Sequence, residues 1–166
     1  MLKPFFIAAL LFFQQPQKTD ELGMIAGTVD PPAQSKLSQP VQVVLLSSKY
    51  TELWNSDVQK QLDVYWERYK PAFAQNKEFF FQVSRMAYKD AMNNIIARMR
   101  RDLRTGVSDF LQDTSSEGKF EFKHVPFGEY KILAAGQVGG QDVFWQDSVD
   151  VRSPIPQFLD LNKRLQ

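Results

Sequence analysis

Ser116-Glu117-Gly118-Lys119-Phe120-Glu121-Phe122-Lys123-His124-Val125-Pro126-Phe127-Gly128-Glu129-Tyr130-Lys131-Ile132 reads as two strands joined by a turn. Lys119 to Lys123 alternates polar and apolar at period two, which puts Phe120 and Phe122 on one buried face. Glu129 to Leu133 alternates in the same way. Between them, Pro126 fixes φ and Gly128 is free to take positive φ, so Val125 to Gly128 forms the turn. Tyr130 follows at once, with its ring expected inward and its hydroxyl within reach of backbone. His124 is expected to face outward.

Working outward, the chain divides into blocks. Met24 to Val29 is a strand ended by Asp30-Pro31-Pro32, since proline cannot donate to a ladder. Val41 to Leu46 is a second, β-branched strand. On the far side, Gly139-Gly140 marks a hairpin, Gln141 to Val151 supplies one or two strands, and Pro154 and Pro156 bound a last short strand, Phe158 to Leu161. The middle is different. Trp54, Val58, Leu62, Tyr65, Tyr69 and Phe73 recur at helical spacing, as do Phe81, Tyr88, Met92, Ile95, Met99 and Leu103. Pro71 predicts a kink or break near Glu67 to Pro71, with Ala74-Gln75-Asn76 as the alternative turn. Asn76 is placed to cap the second helix, and Gly106 to end it. The expected fold is therefore α+β: an antiparallel β-sandwich of Greek-key type interrupted by a long α-helical hairpin. Its parts are residues 23–48 and 108–166 for the sandwich and 49–107 for the hairpin. Because both flanking strands belong to one sandwich, the hairpin is expected to be separable from it.

The segment quoted above resembles the signature of the carboxypeptidase regulatory-like (transthyretin-like, prealbumin-like) domain, G-x-F-x-F-x-x-V-P-x-G-x-Y-x-L. Gly118, Phe120, Phe122, Val125, Pro126, Gly128, Tyr130 and Ile132 fill those places. Gly27-Thr28-Val29 and Pro40-Val41-Gln42-Val43 resemble the family's opening strands, and Val149-Asp150-Val151 with Phe158-Leu159-Asp160-Leu161 its closing ones. The departure is the helical insertion, where the family has a short connection. The resemblance implies a sandwich of about seven strands. It also implies a structural or adhesive role without catalytic residues, and occasional carbohydrate binding. Fold kinship by itself carries little about function.

Composition is that of a globular chain: 166 residues, 43% hydrophobic, 23% charged, with 14 Phe and no Cys. Absent cysteine excludes disulfides, thiolate metal sites and a cysteine nucleophile. A net charge of +1 gives no global field to draw nucleic acid. At the start, Lys3 precedes the apolar run Phe5 to Phe13, and Gln14-Gln15-Pro16-Gln17 turns polar. That order reads as a signal peptide over residues 1–17, and hence an exported, periplasmic or secreted protein. Nine apolar residues are too few to cross a bilayer of roughly 30 Å, and no later run is longer, so no stable span is expected in the mature chain.

Catalytic chemistry is not expected. His124 is the single histidine, which gives neither a triad nor a paired-imidazole metal site. Asp142, Asp147 and Asp150 lie close in sequence but lack EF-hand spacing and read as solvated strand residues, so no metal or cofactor is expected. Two interaction readings remain open. In the first, the hairpin binds an envelope protein or a second copy of the chain. Trp66, Phe79 and Phe80 extend beyond one helical stripe and need a second partner, either the sandwich or another protein. Arg98 and Arg101, in a basic cluster at the end of the second helix, form either a solvated face or a contact for an acidic partner. In the second reading, the sandwich binds carbohydrate, with Phe144 and Trp145 as a stacking platform. That reading requires Trp145 to be exposed.

Overall fold

The computed structural model describes residues 21–30, 37, 39–73, 76–102 and 110–162. In chain order the elements are β1 (Leu22–Val29), β2 (Gln42–Ser47), α1 (Ser48–Phe73), α2 (Lys77–Arg101), β3 (Leu111–Asp113), β4 (Lys119–Pro126), β5 (Gly128–Val138), β6 (Gln141–Val151) and β7 (Gln157–Leu161). The strands form two sheets, one of order β4-β1-β7 and one of order β3-β2-β5-β6. Ile25, Val43, Leu45, Phe120, Phe122, Ile132, Trp145 and Leu161 come from both sheets and close into one buried core. The protein is an α+β sandwich with a helical hairpin inserted between β2 and β3.

Local chemistry explains the frame. Phe120 and Phe122 are both buried, with ring centroids 6.0 Å apart. The chain then crosses from β4 in one sheet to β5 in the other. Tyr130 secures that corner by donating its hydroxyl to the carbonyl of Pro126 at 2.9 Å. Between β5 and β6, Gly139 and Gly140 take φ of 59° and 78°, the paired positive values of a tight two-residue hairpin. At Gly27 a side chain is excluded: an added Cβ would stand 2.2 Å from the carbonyl oxygen of Leu159. Trp145 is fully buried, and its indole N–H donates to the carbonyl of Asp30 at 2.9 Å, tying β6 to the end of β1.

A second core lies on the other face of the four-stranded sheet. Val44, Leu46, Leu133 and Phe144 point away from the sandwich interior and are covered by Tyr50 and Trp54 of α1 and Ala91, Met92, Ile95, Ile96 and Met99 of α2. The molecule is thus three layers: sheet, sheet and helix pair. Ser84, Ala87 and Ala91 are buried along α2. Their small side chains leave room for α1 to lie close.

Several expectations are corrected. The sandwich is not wholly antiparallel, because β7 pairs in parallel with β1, Ile25 to Val29 facing Gln157 to Leu161. After β6 the chain changes sheets through a segment holding Pro154 and Pro156, so it makes no tight hairpin that would reverse its direction. α1 is not broken before Pro71. It continues to Phe73, and Pro71 sits in its last turn, where little helix remains to be lost. Asn76 caps α2 as expected, its side chain accepting from the Glu78 amide at 2.9 Å. The helix ends at Arg101 with Asp102 as its cap, ahead of Gly106, which lies outside the described residues together with Leu103. His124 does face outward, but through a bulge: the register of β4 against β1 shifts between Phe122 and Val125, and His124 adopts φ of 54°. The extra residue lets Phe122 and Val125 both point inward. The segment 1–17 lies outside the described residues.

Candidate functional site

The two helices treat their apolar residues differently along their length. Near the sheet, Tyr50 and Trp54 are buried, and they are the buried residues of α1. The Tyr50 hydroxyl donates to the Asp102 carboxylate, which fastens the first turn of α1 to the last of α2. Arg98 reaches Asp57 at 3.5 Å, and Lys89 binds Asp142 of β6 at 2.8 Å. The ammonium of Lys89, then the amide of Gln137, hold the Asp142 carboxyl below its usual pKa against the opposing effect of partial burial.

Farther out, Val58, Leu62, Tyr65, Tyr69 and Phe73 are only half-buried. Tyr65 donates to Asp90 of α2 at 2.6 Å, and the carboxylate it faces raises the pKa of its phenol. At the tip a set of rings replaces a conventional core. Trp66 stacks on Phe73 at 5.1 Å, Phe73 meets Phe80 edge-on at 5.6 Å, and Tyr69 meets Phe79 edge-on at 5.5 Å. Consecutive helical residues are about 100° apart, so Phe79, Phe80 and Phe81 cannot all face α1. Phe79 turns to Tyr69 and Phe73 and is half-buried. Phe80 and Phe81 remain 40% and 39% exposed, and Trp66 43%. Leu62, Asp63, Trp66, Phe73, Phe80 and Val83 line a shallow groove there. Val64 and Met86 add exposed apolar surface on the same half of the hairpin.

The sequence candidates are therefore separated. Trp66, Phe79 and Phe80 come together at the tip, with Phe81 added; spacing had assigned Phe81 to the buried stripe. Arg98 is paired with Asp57, while Arg101 is exposed at the opposite end of α2. Phe144 and Trp145 do not form a platform. Neighbouring strand residues face opposite sides; Trp145 lies in the sandwich core and Phe144 under the helices, where it meets Tyr88 at 6.1 Å. The exposed aromatic of the sandwich is instead Phe158 of β7, 80% exposed, with Ile155 70% exposed just before its strand. The sequence carries a signal for this: Phe158 shares its face of the strand with Asp160, while Leu159 and Leu161 share the other. Among the described residues no group of three or more His, Asp or Glu converges as a metal site, and no helix is long and apolar enough to cross a membrane.

No family model and no curated protein matches the chain. Among solved structures it is similar to a Pseudomonas aeruginosa protein provisionally described as carbohydrate binding. The identity is 15% and the TM-score 0.37, over 87% of this chain and 90% of that one.

Proposed function

We propose that this chain is an exported, non-catalytic interaction module of the carboxypeptidase regulatory-like type, which presents the tip of its helical hairpin to a protein partner. The observation that carries this reading is the contrast within one hairpin: the base is buried against the sheet, and the tip keeps Trp66, Phe80 and Phe81 exposed around an apolar groove. Monomeric soluble proteins rarely leave large contiguous apolar patches uncovered, and aromatic residues are the ones that anchor interfaces. The sandwich and the hairpin base act as a rigid mount. Lys89 ties α2 to Asp142 of β6, and Arg98 ties α2 to Asp57 of α1.

A photoreactive residue placed at Phe81, and as a control at Lys123 on β4, tests this in cells that make the protein. A discrete protein adduct is expected from position 81 and none from 123. Adducts from 123 with none from 81 would remove the hairpin as the binding element. Fractionation of the same cells checks export: recovery solely in the cytosol contradicts it.

A second reading, glycan binding by the sandwich, moves to Phe158. That ring stands on the outer side of the three-stranded sheet, one residue before Leu159 and opposite Ala26, with Thr28 hydrogen-bonded to Asp160 at 2.9 Å alongside. An exposed ring flanked by hydroxyl and carboxylate groups is the arrangement that stacks on a sugar. Binding on a glycan array that disappears in Phe158→Ala supports this reading, and binding unaffected by that change removes it.

A further inference from the structure

Resting on the hairpin reading above, we infer that the groove at the tip takes an arginine side chain of the partner, its guanidinium held between aromatic walls and the Asp63 carboxylate. Size, walls and polar lining choose that occupant together.

The groove measures about 200 Å³. That is below the roughly 300–1,000 Å³ of pockets that enclose a small molecule, and it suits one side-chain head group. Its walls are aromatic. Trp66 lies on Phe73 at an interplanar angle of 27°, and Phe80 stands across both, at 82° to Trp66 and 79° to Phe73. Leu62 and Val83 complete the apolar lining. Aromatic faces carry partial negative charge and attract a cation, arginine more often than lysine. The guanidinium is also the more weakly hydrated of the two, so it enters an apolar groove at less cost.

The polar lining consists of Asp63 and Ser84. Ser84 gives its hydroxyl proton to the Phe80 carbonyl at 3.0 Å, so its oxygen is left as an acceptor. Asp63 is exposed, and its carboxylate accepts from the Gln59 side-chain amide at 2.8 Å. Among the described residues Asp63 forms no ion pair. The side chains of the groove thus offer acceptors and no donor. A guanidinium is the complement, with five donors in a flat fork and no acceptor. A carboxylate or phosphate would meet a like charge there and find no donor. An aliphatic side chain would suit the rings and gain nothing from the carboxylate. Arginine is also among the residues that anchor interfaces, and anchors tend to meet anchors on the partner, here Trp66.

The chain has three tryptophans, of which Trp54 and Trp145 are buried, so a solute in the groove is read by the emission of Trp66. Titration of the protein, in the form that cells accumulate, with N-acetyl-arginine amide tests the inference. The neutral, near-isosteric N-acetyl-citrulline amide and the aliphatic N-acetyl-norleucine amide are the controls, at matched ionic strength. Saturable binding of the arginine compound is expected, at least ~5-fold tighter than either control. Asp63→Asn is expected to weaken it by a similar factor at an unchanged melting temperature. Phe80→Leu, which keeps the groove apolar but removes a ring, is expected to weaken it as well. In cells, the adduct from position 81 should fall when Asp63→Asn is added.

Equal binding of arginine and citrulline compounds, tighter binding of the norleucine compound, or no saturable binding overturns the inference. So does an arginine affinity indifferent to Asp63→Asn, and so does an adduct from position 81 that Asp63→Asn leaves undiminished. In each of these cases a discrete adduct from position 81 keeps the hairpin reading standing, with a partner that uses other chemistry. No adduct from position 81 in the parent removes the hairpin reading itself.

Discussion

The base and the tip of the hairpin are built from similar residues and meet opposite fates. Trp54 and Trp66 lie on the same helix, twelve positions apart; the first is 3% exposed and the second 43%. The difference is what stands beneath them. Under the base, Val44, Leu46, Leu133 and Phe144 rise from the outer face of the four-stranded sheet and complete a core. At the tip the rings pack on one another, beside Leu62 and Val83. The buried residues of α1, Tyr50 and Trp54, both fall in its first two turns, so one amphipathic element divides into a structural half and a surplus half. What reads as a detachable insertion is half of the sheet's cover.

The strongest way to break this comparison is to remove the hairpin. Replacing residues 50–102 with a short glycine-containing turn exposes Val44, Leu46, Leu133 and Phe144 together. At about 1.5–3 kcal/mol per large apolar side chain, that loss is comparable to the typical stability of a domain. The expected product has no cooperative unfolding transition by circular dichroism and is recovered aggregated. A soluble, cooperatively melting β protein would mean that the helices merely rest on the sheet.

A single core substitution sharpens the contrast. Ile95→Ala, fully buried at the base, is expected to lose about 2–5 kcal/mol in urea denaturation. Gly27→Ala probes the sandwich itself, where the new methyl meets the Leu159 carbonyl and the Phe120 ring; a loss of about 1–3 kcal/mol is expected. A neutral result there would show that β1 and β7 separate without strain.

The smallest effect concerns the link between α2 and β6. Lys89 holds the pKa of Asp142 below that of the unfolded carboxyl. A lowered folded-state pKa contributes stability at neutral pH, and that contribution fades as pH falls below about 4 through the carboxylate range. Lys89 is 51% exposed, so solvent screening limits the pair to about 0.2–1 kcal/mol. Lys89→Ala should therefore be measurably less stable than the parent at pH 7, with a gap that narrows as the pH falls below about 4. A gap of constant size across that range would assign the effect to packing of the lysine stem.

Much of this architecture can be read in the chain. The alternation of Phe120 and Phe122, the turn at Gly139-Gly140 and the cap at Asn76 are local signals, and local physics decides them. The coupling of hairpin to sheet was also written there, less openly. One covered face produces alternation, whereas Val43-Val44-Leu45-Leu46 and Phe144-Trp145 run apolar without a break, as strands covered on both faces do. Other features depend on distant residues and leave no local mark. The parallel pairing of β7 follows from where the chain re-enters the first sheet. The exposure of Phe81 follows from where the sheet stops. The candidate site was half legible: a run of three phenylalanines on a helix guarantees that one is turned away, but not which one.

The comparison of Trp54→Ala with Trp66→Ala in one urea series tests the account most directly, because residue type, helix and substitution are held constant. The account predicts a loss of about 3–5 kcal/mol for Trp54→Ala and of about 1 kcal/mol or less for Trp66→Ala, at protein concentrations where the chain is monomeric. Equal losses at the two positions, or a larger one at Trp66, would contradict it, since the tip would then be core and not free surface.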